Sequence, residues 1–258
     1  KLIKIGIIGG SGLDDPKMLQ DYQEVEVDTP YGKPSCAITT GTIAGIDVCI
    51  LARHGKKHEI TPTNVNNRAN IFALGKLGCT HIIATTAVGS LREEIGRGDF
   101  VILDQFIDFT KHRSITFHDD FKNGIKHTAM ATPFSEFLRK KIISSCNNLG
   151  IRYHPKGTVI TIEGPRFSTK AESKIFRMWG ADVVNMSVAP EASLANEAGL
   201  HYSAIAMSTD YDCWKEGEES VTWDAILEIF NNNASKMKNL LVKVIEKLAN
   251  DDEEFIKS

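Results

Sequence analysis

Arg53 and His54 follow the strand-like run Asp47–Leu51 in "LARHGKKH". A guanidinium offers a planar fork of donors that matches phosphate or carboxylate oxygens. The pair is therefore a candidate anion grip, although an arginine can equally be a solvated surface charge. Short polar groups recur at comparable places: Ser11 in "IIGGSGL", Thr86 and Ala87 in "TTAVGS", Ser187 in "NMS". Hydroxyls and backbone N–H groups around one arginine make a cradle for a single inorganic phosphate. The opening glycines are not a dinucleotide fingerprint. Gly10-Ser11-Gly12 supplies G-x-G, but Asp15 stands where the third glycine should fall and would repel a pyrophosphate.

A second set can handle protons. Asp210 and Asp212 in "STDYD" are two residues apart, so an extended segment directs both carboxylates to one side. A metal site is one reading, but the further carboxylates and histidines that would complete it are missing from the neighbourhood, and no metal is expected. A carboxyl at a purine edge is another, donating a proton to N7 and accepting one from an amino group. Either acid can also serve only as a cap or a turn. Phe167, in "EGPRF", can stack on a flat ring or fill the core.

These residues fall where strands end, which is where open α/β sheets bind ligands. Cys36–Ile43 and Asp47–Leu51 read as a hairpin around Ala44-Gly45, and Asn64 can cap a helix through Leu77 that Gly78 stops. "CTHIIATTAVGS" is a buried strand and "GDFVILDQFID" another. Phe134, Leu138, Ile142, Cys146 and Leu149 keep helical spacing until Gly150. "GTVITIEGPRF" runs from a strand into a Gly-Pro loop, followed by a helix from about Lys170 to Trp179. "ADVVNMS" and "YSAIAMSTD" are strands separated by a short helix with Pro190 near its start, and a last helix spans about Thr222 to Ala249. The alternation predicts one α/β domain over residues 1–250, with the acidic 251–258 as a frayed tail.

Bulk properties narrow the partners. With 258 residues and a net charge of −3 the chain has no basic field for nucleic acid, so an anionic ligand must be small and locally held. No apolar run approaches the ~20 residues of a membrane span, and no secretory leader is visible. The five cysteines lie far apart without C-x-x-C, as expected of reduced thiols in a cytoplasm.

The inventory is a phosphate cradle, a flat heterocycle and a proton-handling acid. At this level the chain resembles the trimeric purine nucleoside phosphorylases, on the branch that takes 5′-methylthioadenosine. The resemblance runs in order from about Ile3 to Leu248 through "IGIIGGSGL", "TPYGKPS", "LARHGKKH", "TTAVGSLREEI", "DQFIDFT", "TIEGPRFSTKAES", "WGADVVNMS" and "IAMSTDYDCW". It implies a nucleoside phosphorylase-like fold, a single α/β domain with a mixed, mostly parallel central sheet flanked by helices. It also implies phosphorolysis of the N-glycosidic bond, giving adenine and 5-methylthioribose 1-phosphate, with phosphate as co-substrate and no organic cofactor or metal. By similarity Ser11, Arg53, His54, Thr86, Ala87 and Ser187 match phosphate-binding positions, and Met186 lies under the ribose. Phe167 and Ser168 surround the base, Asp210 with Asp212 beside it meets its N7 and 6-amino edge, and Tyr211 is counted with the substrate-binding residues. Trp223 and Ile226 match the 5′ pocket. His127 matches a position that reaches across the subunit boundary, in a homotrimer or a dimer of trimers.

Two positions bear on substrate. The branch acting on 6-oxopurines resembles this chain but carries asparagine at the Asp210 position. A carboxylate accepts from a 6-amino group and repels a 6-keto oxygen, so Asp210 favours 6-aminopurines and Asp210→Asn is expected to shift turnover toward inosine. Trp223 departs from the small apolar residue of the methylthioadenosine branch; it keeps the 5′ end apolar but is bulky. The alternatives are a phosphorylase of adenosine, inosine or guanosine, a hydrolytic nucleosidase, and a catalytically silent nucleotide-binding module.

Overall fold

Ile5 and Ile7 of the first strand, β1 (Lys4–Gly9), face one helical layer, and Gly6 and Ile8 face the other. That alternation without polar positions is what a strand covered on both faces requires. Gly6 is needed for the approach of the first helix: a β-carbon there would stand 3.2 Å from Leu74 Cδ1. The computed structural model describes residues 3–10 and 15–251. The Ser11 expectation and residues 252–258 of the expected tail lie outside the described residues. Asp251, the first residue of that tail, pairs with Lys141.

The chain continues through β2 (Gln20–Val25), β3 (Ile38–Ile43), β4 (Ile46–Ala52), α1 (Asn67–Lys76), β5 (His81–Ser90), β6 (Phe100–Ile102), β7 (Gln105–Phe109) and α2 (Glu136–Leu149). It ends through β8 (Tyr153–His154), β9 (Thr158–Ile162), α3 (Lys170–Met178), β10 (Val183–Asn185), α4 (Val188–Glu197), β11 (His201–Asp210) and α5 (Trp223–Ala249). The sheet is mixed and mostly parallel, in the order β2-β3-β4-β1-β5-β10-β9-β7, with β11, β6 and β8 branching from β5. Apolar faces of α1 and α4 cover one side through Ile71, Leu74, Val188 and Leu194. On the other side α2 and α5 bury Leu138, Ile142, Met237, Leu241 and Val244, and Phe176 of α3 packs on Ile160 and Ile162.

The branch at β5 makes the binding cleft. β11 runs parallel along one edge of β5 from His81 to Gly89. On the opposite edge β1 pairs only with His81–Ala84, and β10 only, antiparallel, with Gly89 and Ser90. Between them Thr85–Val88 have no strand partner on that edge among the described residues. The sheet splits there, at the carboxyl ends of β1 and β4.

Several sequence expectations hold, and three need correction. The hairpin turns through Ala44 and Gly45, both with positive φ (50° and 80°), as a two-residue turn between twisted strands requires. Gly150 ends α2 in the left-handed conformation, and Thr222 caps α5 by accepting from the Ala225 N–H. Asn64, however, does not cap α1. It lies in the 3₁₀ turn Pro62–Asn64, and the Asn66 side chain accepts from the Ala69 N–H instead. "GDFVILDQFID" is two strands: β6 joins β11 and β8, whereas β7 joins β9. The exposed, polar β2 and the two-residue β8 carry no buried alternation in the sequence, so no strand was expected at either.

Candidate active site

A cavity of about 470 Å³ opens at the split in the sheet. Its lining brings together Gly10, Arg53, His54, Phe167, Ser168, Met186, Ser187, Asp210 and Asp212, at or beyond the ends of β1, β4, β9, β10 and β11, with Trp223 and Ile226 of α5. Thr86 and Ala87, expected at a strand end, lie instead in the middle of β5. Residues as far apart in the chain as Gly10 and Asp212 therefore meet because the strands before them lie in one sheet on either side of β5.

One half is built of donors. Asn185, 5% exposed at the end of β10, donates through Nδ2 to Thr86 Oγ1 (3.1 Å) and Ser187 Oγ (3.3 Å). Its Oδ1 is in turn held by Thr161 Oγ1 at 2.8 Å. One amide thus orients both hydroxyls that the sequence picked out, a role the sequence reading passed over; the short polar pair N-x-S at a strand end was the signal. Ser187 is the N-cap residue of α4 yet its side chain makes no capping bond. The N-terminal end of that helix and a hydroxyl held by Asn185 and Thr86 are therefore together at the cavity.

Arg53 is 3% exposed and differs from the open fork expected of it. Its Nε and Nη2 bind both oxygens of Glu191, and Nη1 donates to the Thr85 carbonyl at 2.9 Å. Tyr202 Oη completes Glu191 from the far side at 2.8 Å. Burial alone would make the arginine easier to deprotonate, but the adjacent Glu191 carboxylate holds its pKa above the ordinary value. The charge is thus balanced within the protein, and what remains for a ligand is the guanidinium's uncommitted N–H groups. His54 Nδ1 lies 2.8 Å from the Ile60 carbonyl. A carbonyl only accepts, so Nδ1 carries the proton and Nε2 is an acceptor. Burial, with Arg53 next to it, lowers the imidazole pKa to about 4. At neutral pH this half offers hydroxyls, N–H dipoles and one acceptor, and no unbalanced cation from these two residues.

The other half holds acids and a ring. The register of β11 against β5 skips Thr209, placing Asp210 opposite Gly89; such a bulge re-aims a side chain. Asp210 accepts from Thr209 Oγ1 and from the Asp212 N–H, both at 2.8 Å. Burial nevertheless raises its pKa to about 6, the two hydrogen bonds opposing the shift. Asp212 is also raised by burial. Both acids line the cavity, but not through the extended segment expected: β11 ends at Asp210, and Asp212 follows in a turn with φ of 51°, its N–H bound to Asp210. Tyr211 points elsewhere, its ring 6.2 Å from Trp214 with Lys215 and Arg97 over it. Phe167, 38% exposed, lines this half with Ser168 and Val184.

The far end combines apolar side chains with two imidazoles. Trp223, the first residue of α5, meets Ile226, Leu227 and Phe230 there. Its ring lies 4.9 Å from His58, which lies 4.5 Å from His54, so three rings in series wall this end. Leu227 and Phe230 were read from the sequence only as helix residues, and His58 was not singled out. His127 is exposed, edge-on to Phe121 at 5.5 Å, and does not line the cavity of its own chain.

Comparison with known proteins agrees with this geometry. The family described as the phosphorylase superfamily matches residues 4–246. A Xenopus tropicalis protein named S-methyl-5′-thioadenosine phosphorylase is 55% identical over 251 residues, covering 96% of this chain and 89% of that relative. The Danio rerio protein of the same name is 53% identical, over 97% and 90%. Among solved structures, the Schistosoma mansoni methylthioadenosine phosphorylase in complex with adenine superposes with a TM-score of 0.91 at 42% identity, covering 97% of this chain and 93% of that one. A mutant of the adenosine/methylthioadenosine phosphorylase from the same organism, in complex with methylthioadenosine, gives 0.90 at 41%, over the same shares.

Proposed function

The chain belongs to the phosphorylase superfamily, and we propose that it cleaves 5′-methylthioadenosine with inorganic phosphate, releasing adenine and 5-methylthioribose 1-phosphate. One observation carries this reading. A cavity lined at one side by oriented hydroxyls and a helix N-terminus is faced by an acid of pKa about 6 and closed by the Trp223 end. Phosphate is held by Thr86, Ala87, Ser187, His54 and the uncommitted N–H groups of Arg53; Ser11 is assigned to the same role by resemblance alone. The sugar lies over Met186, and the base lies between Phe167, Ser168 and the Asp210–Asp212 pair.

The chemistry follows from charge. The glycosidic C–N bond breaks ahead of the new C–O bond, leaving positive charge on the sugar and moving an electron pair into the purine. Because Arg53 already has Glu191 as counter-ion, the phosphate keeps negative charge to set against the sugar cation. Asp210 gives its proton, or a strong hydrogen bond, to N7 of the departing base; such acid assistance is worth ~10²–10⁴ in rate. The 6-amino group suits the carboxylates, and the methylthio group suits the Trp223 end, which offers a 5′-hydroxyl no acceptor from Trp223, Ile226, Leu227 or Phe230.

No described helix is long and apolar enough to cross a membrane. We place the enzyme in the cytoplasm as a homotrimer or dimer of trimers, using no organic cofactor, with His127 of each chain completing a neighbour's cavity. The deciding assay compares methylthioadenosine, adenosine and inosine with and without phosphate. Methylthioadenosine should be turned over fastest and only with phosphate. Purine release without phosphate, or faster release from inosine, would overturn the reading.

A further inference from the structure

Glu163 and Arg113 do not line the cavity, yet they tie three of its walls to one another. The Glu163 carboxylate collects the Thr63 hydroxyl, the backbone N–H groups of Lys111 (2.7 Å) and His112 (2.9 Å), and Arg113 Nε (2.8 Å). Arg113, its side chain 1% exposed, also donates from Nη2 to the Glu163 carbonyl (2.5 Å) and from Nη1 to the Met186 carbonyl (2.9 Å).

Through Thr63, Glu163 and Met186 these bonds reach three different parts of the site. Thr63 sits in the 3₁₀ turn whose Pro62, with Thr61 before it, borders the cavity. Glu163 opens the loop that presents Pro165, Phe167 and Ser168. Met186 is the residue under the sugar, and its side chain lies so close to Gly164 that a β-carbon there would overlap the sulfur. Only a planar guanidinium reaches acceptors in three directions while remaining paired.

We propose that Glu163 and Arg113 are positioning residues for the nucleoside, fixing the spacing between the sugar floor, the base loop and the turn beside them. This rests on the reading of the cavity as a nucleoside and phosphate site. The phosphate half has separate supports in Glu191 and Asn185, so the effect falls on one substrate.

The test uses the full chain with Glu163→Gln, which replaces one acceptor oxygen by an amide that cannot accept, and Arg113→Lys, which keeps the charge and loses the fork. The unsubstituted enzyme is assayed first with methylthioadenosine and phosphate; absence of turnover there removes the functional reading, not this inference. Adenine affinity measured by calorimetry needs no turnover and tests the inference in either case. Expected in both variants is a KM for methylthioadenosine raised about tenfold or more, with the KM for phosphate within about twofold, and adenine binding weakened in parallel. A lowered melting temperature with both KM values and adenine affinity unchanged would make the pair a structural brace and overturn the proposal. Equal increases in both KM values would overturn it too. If Glu163→Gln yields no folded protein, Arg113→Lys and the near-isosteric Thr63→Val decide, the latter expected to raise the nucleoside KM about threefold; no change in either variant would overturn the proposal.

Discussion

Asp210 Oδ2 lies over Gly89, only 2.9 Å from where a β-carbon on that residue would stand. Val184 Cγ1, at 3.1 Å from the same point, blocks retreat on the other side. The acid therefore owes its place to a missing side chain on the neighbouring strand. Gly89→Ala should displace the carboxylate by a fraction of an ångström or more and lower kcat about 10- to 100-fold. Steady-state kinetics with saturating phosphate check this, and an unaltered kcat would mean that the Asp210 position is not critical.

The burial of Asp210 also has a thermodynamic sign. Its folded pKa of about 6 exceeds the ordinary 3.8, so the native state holds this proton more tightly than the unfolded chain. Stability is lost as pH rises from about 4 through 6, and the deficit persists above that range. Asp210→Asn should relieve it. The gain is about 1–2 kcal/mol at pH 8, reduced because an amide offers one acceptor where two oxygens now accept, and it vanishes below pH 4. Urea denaturation of both proteins at the two pH values measures the difference while activity falls.

Glu191 and Arg53 form a buried pair whose separate members would be costly. Glu191→Ala leaves a guanidinium at 3% exposure without its counter-ion, and should destabilise the chain by about 3–5 kcal/mol. Tyr202→Phe removes a single hydrogen bond to the same carboxylate and should cost about 1 kcal/mol. Comparable losses in the two variants, read by calorimetry or denaturant titration, would contradict this account.

Trp223 supplies the aromatic wall of the far end and leans on His58. Trp223→Ala should lower kcat/KM for methylthioadenosine about tenfold or more, with a smaller loss for adenosine, because an apolar contact of this size is worth about 1–3 kcal/mol. The ratio of the two specificity constants is the measurement, and a constant ratio would assign Trp223 to helix packing alone.

Much of this was legible in the chain. Thr86, Ser187, Asp210 and Asp212 could be singled out because hydroxyls and acids follow apolar runs there, but the turn that brings Asp212 beside Asp210 was not legible. Tyr211, expected among the substrate-binding residues, does not line the cavity of its own chain. What could not be read was partnership. Nothing near Arg53 announces Glu191, 138 positions away, since a helix residue facing inward looks like any other charge in sequence. Asn185, Gly89 and the Glu163–Arg113 pair are likewise defined by which strands and loops become neighbours. The two halves of "GDFVILDQFID" were merged for a related reason: hydropathy registers burial, not a change of pairing partner.

The parting of β1 from β10 along β5 has a consequence for affinity. Thr86 and Ala87 belong to the middle of the sheet, where their backbone is already fixed by β11, and not to a loop that must settle around a guest. On the function proposed above, an oxyanion arriving there freezes little chain, so the entropy of shaping that part of the receptor was spent when the protein folded.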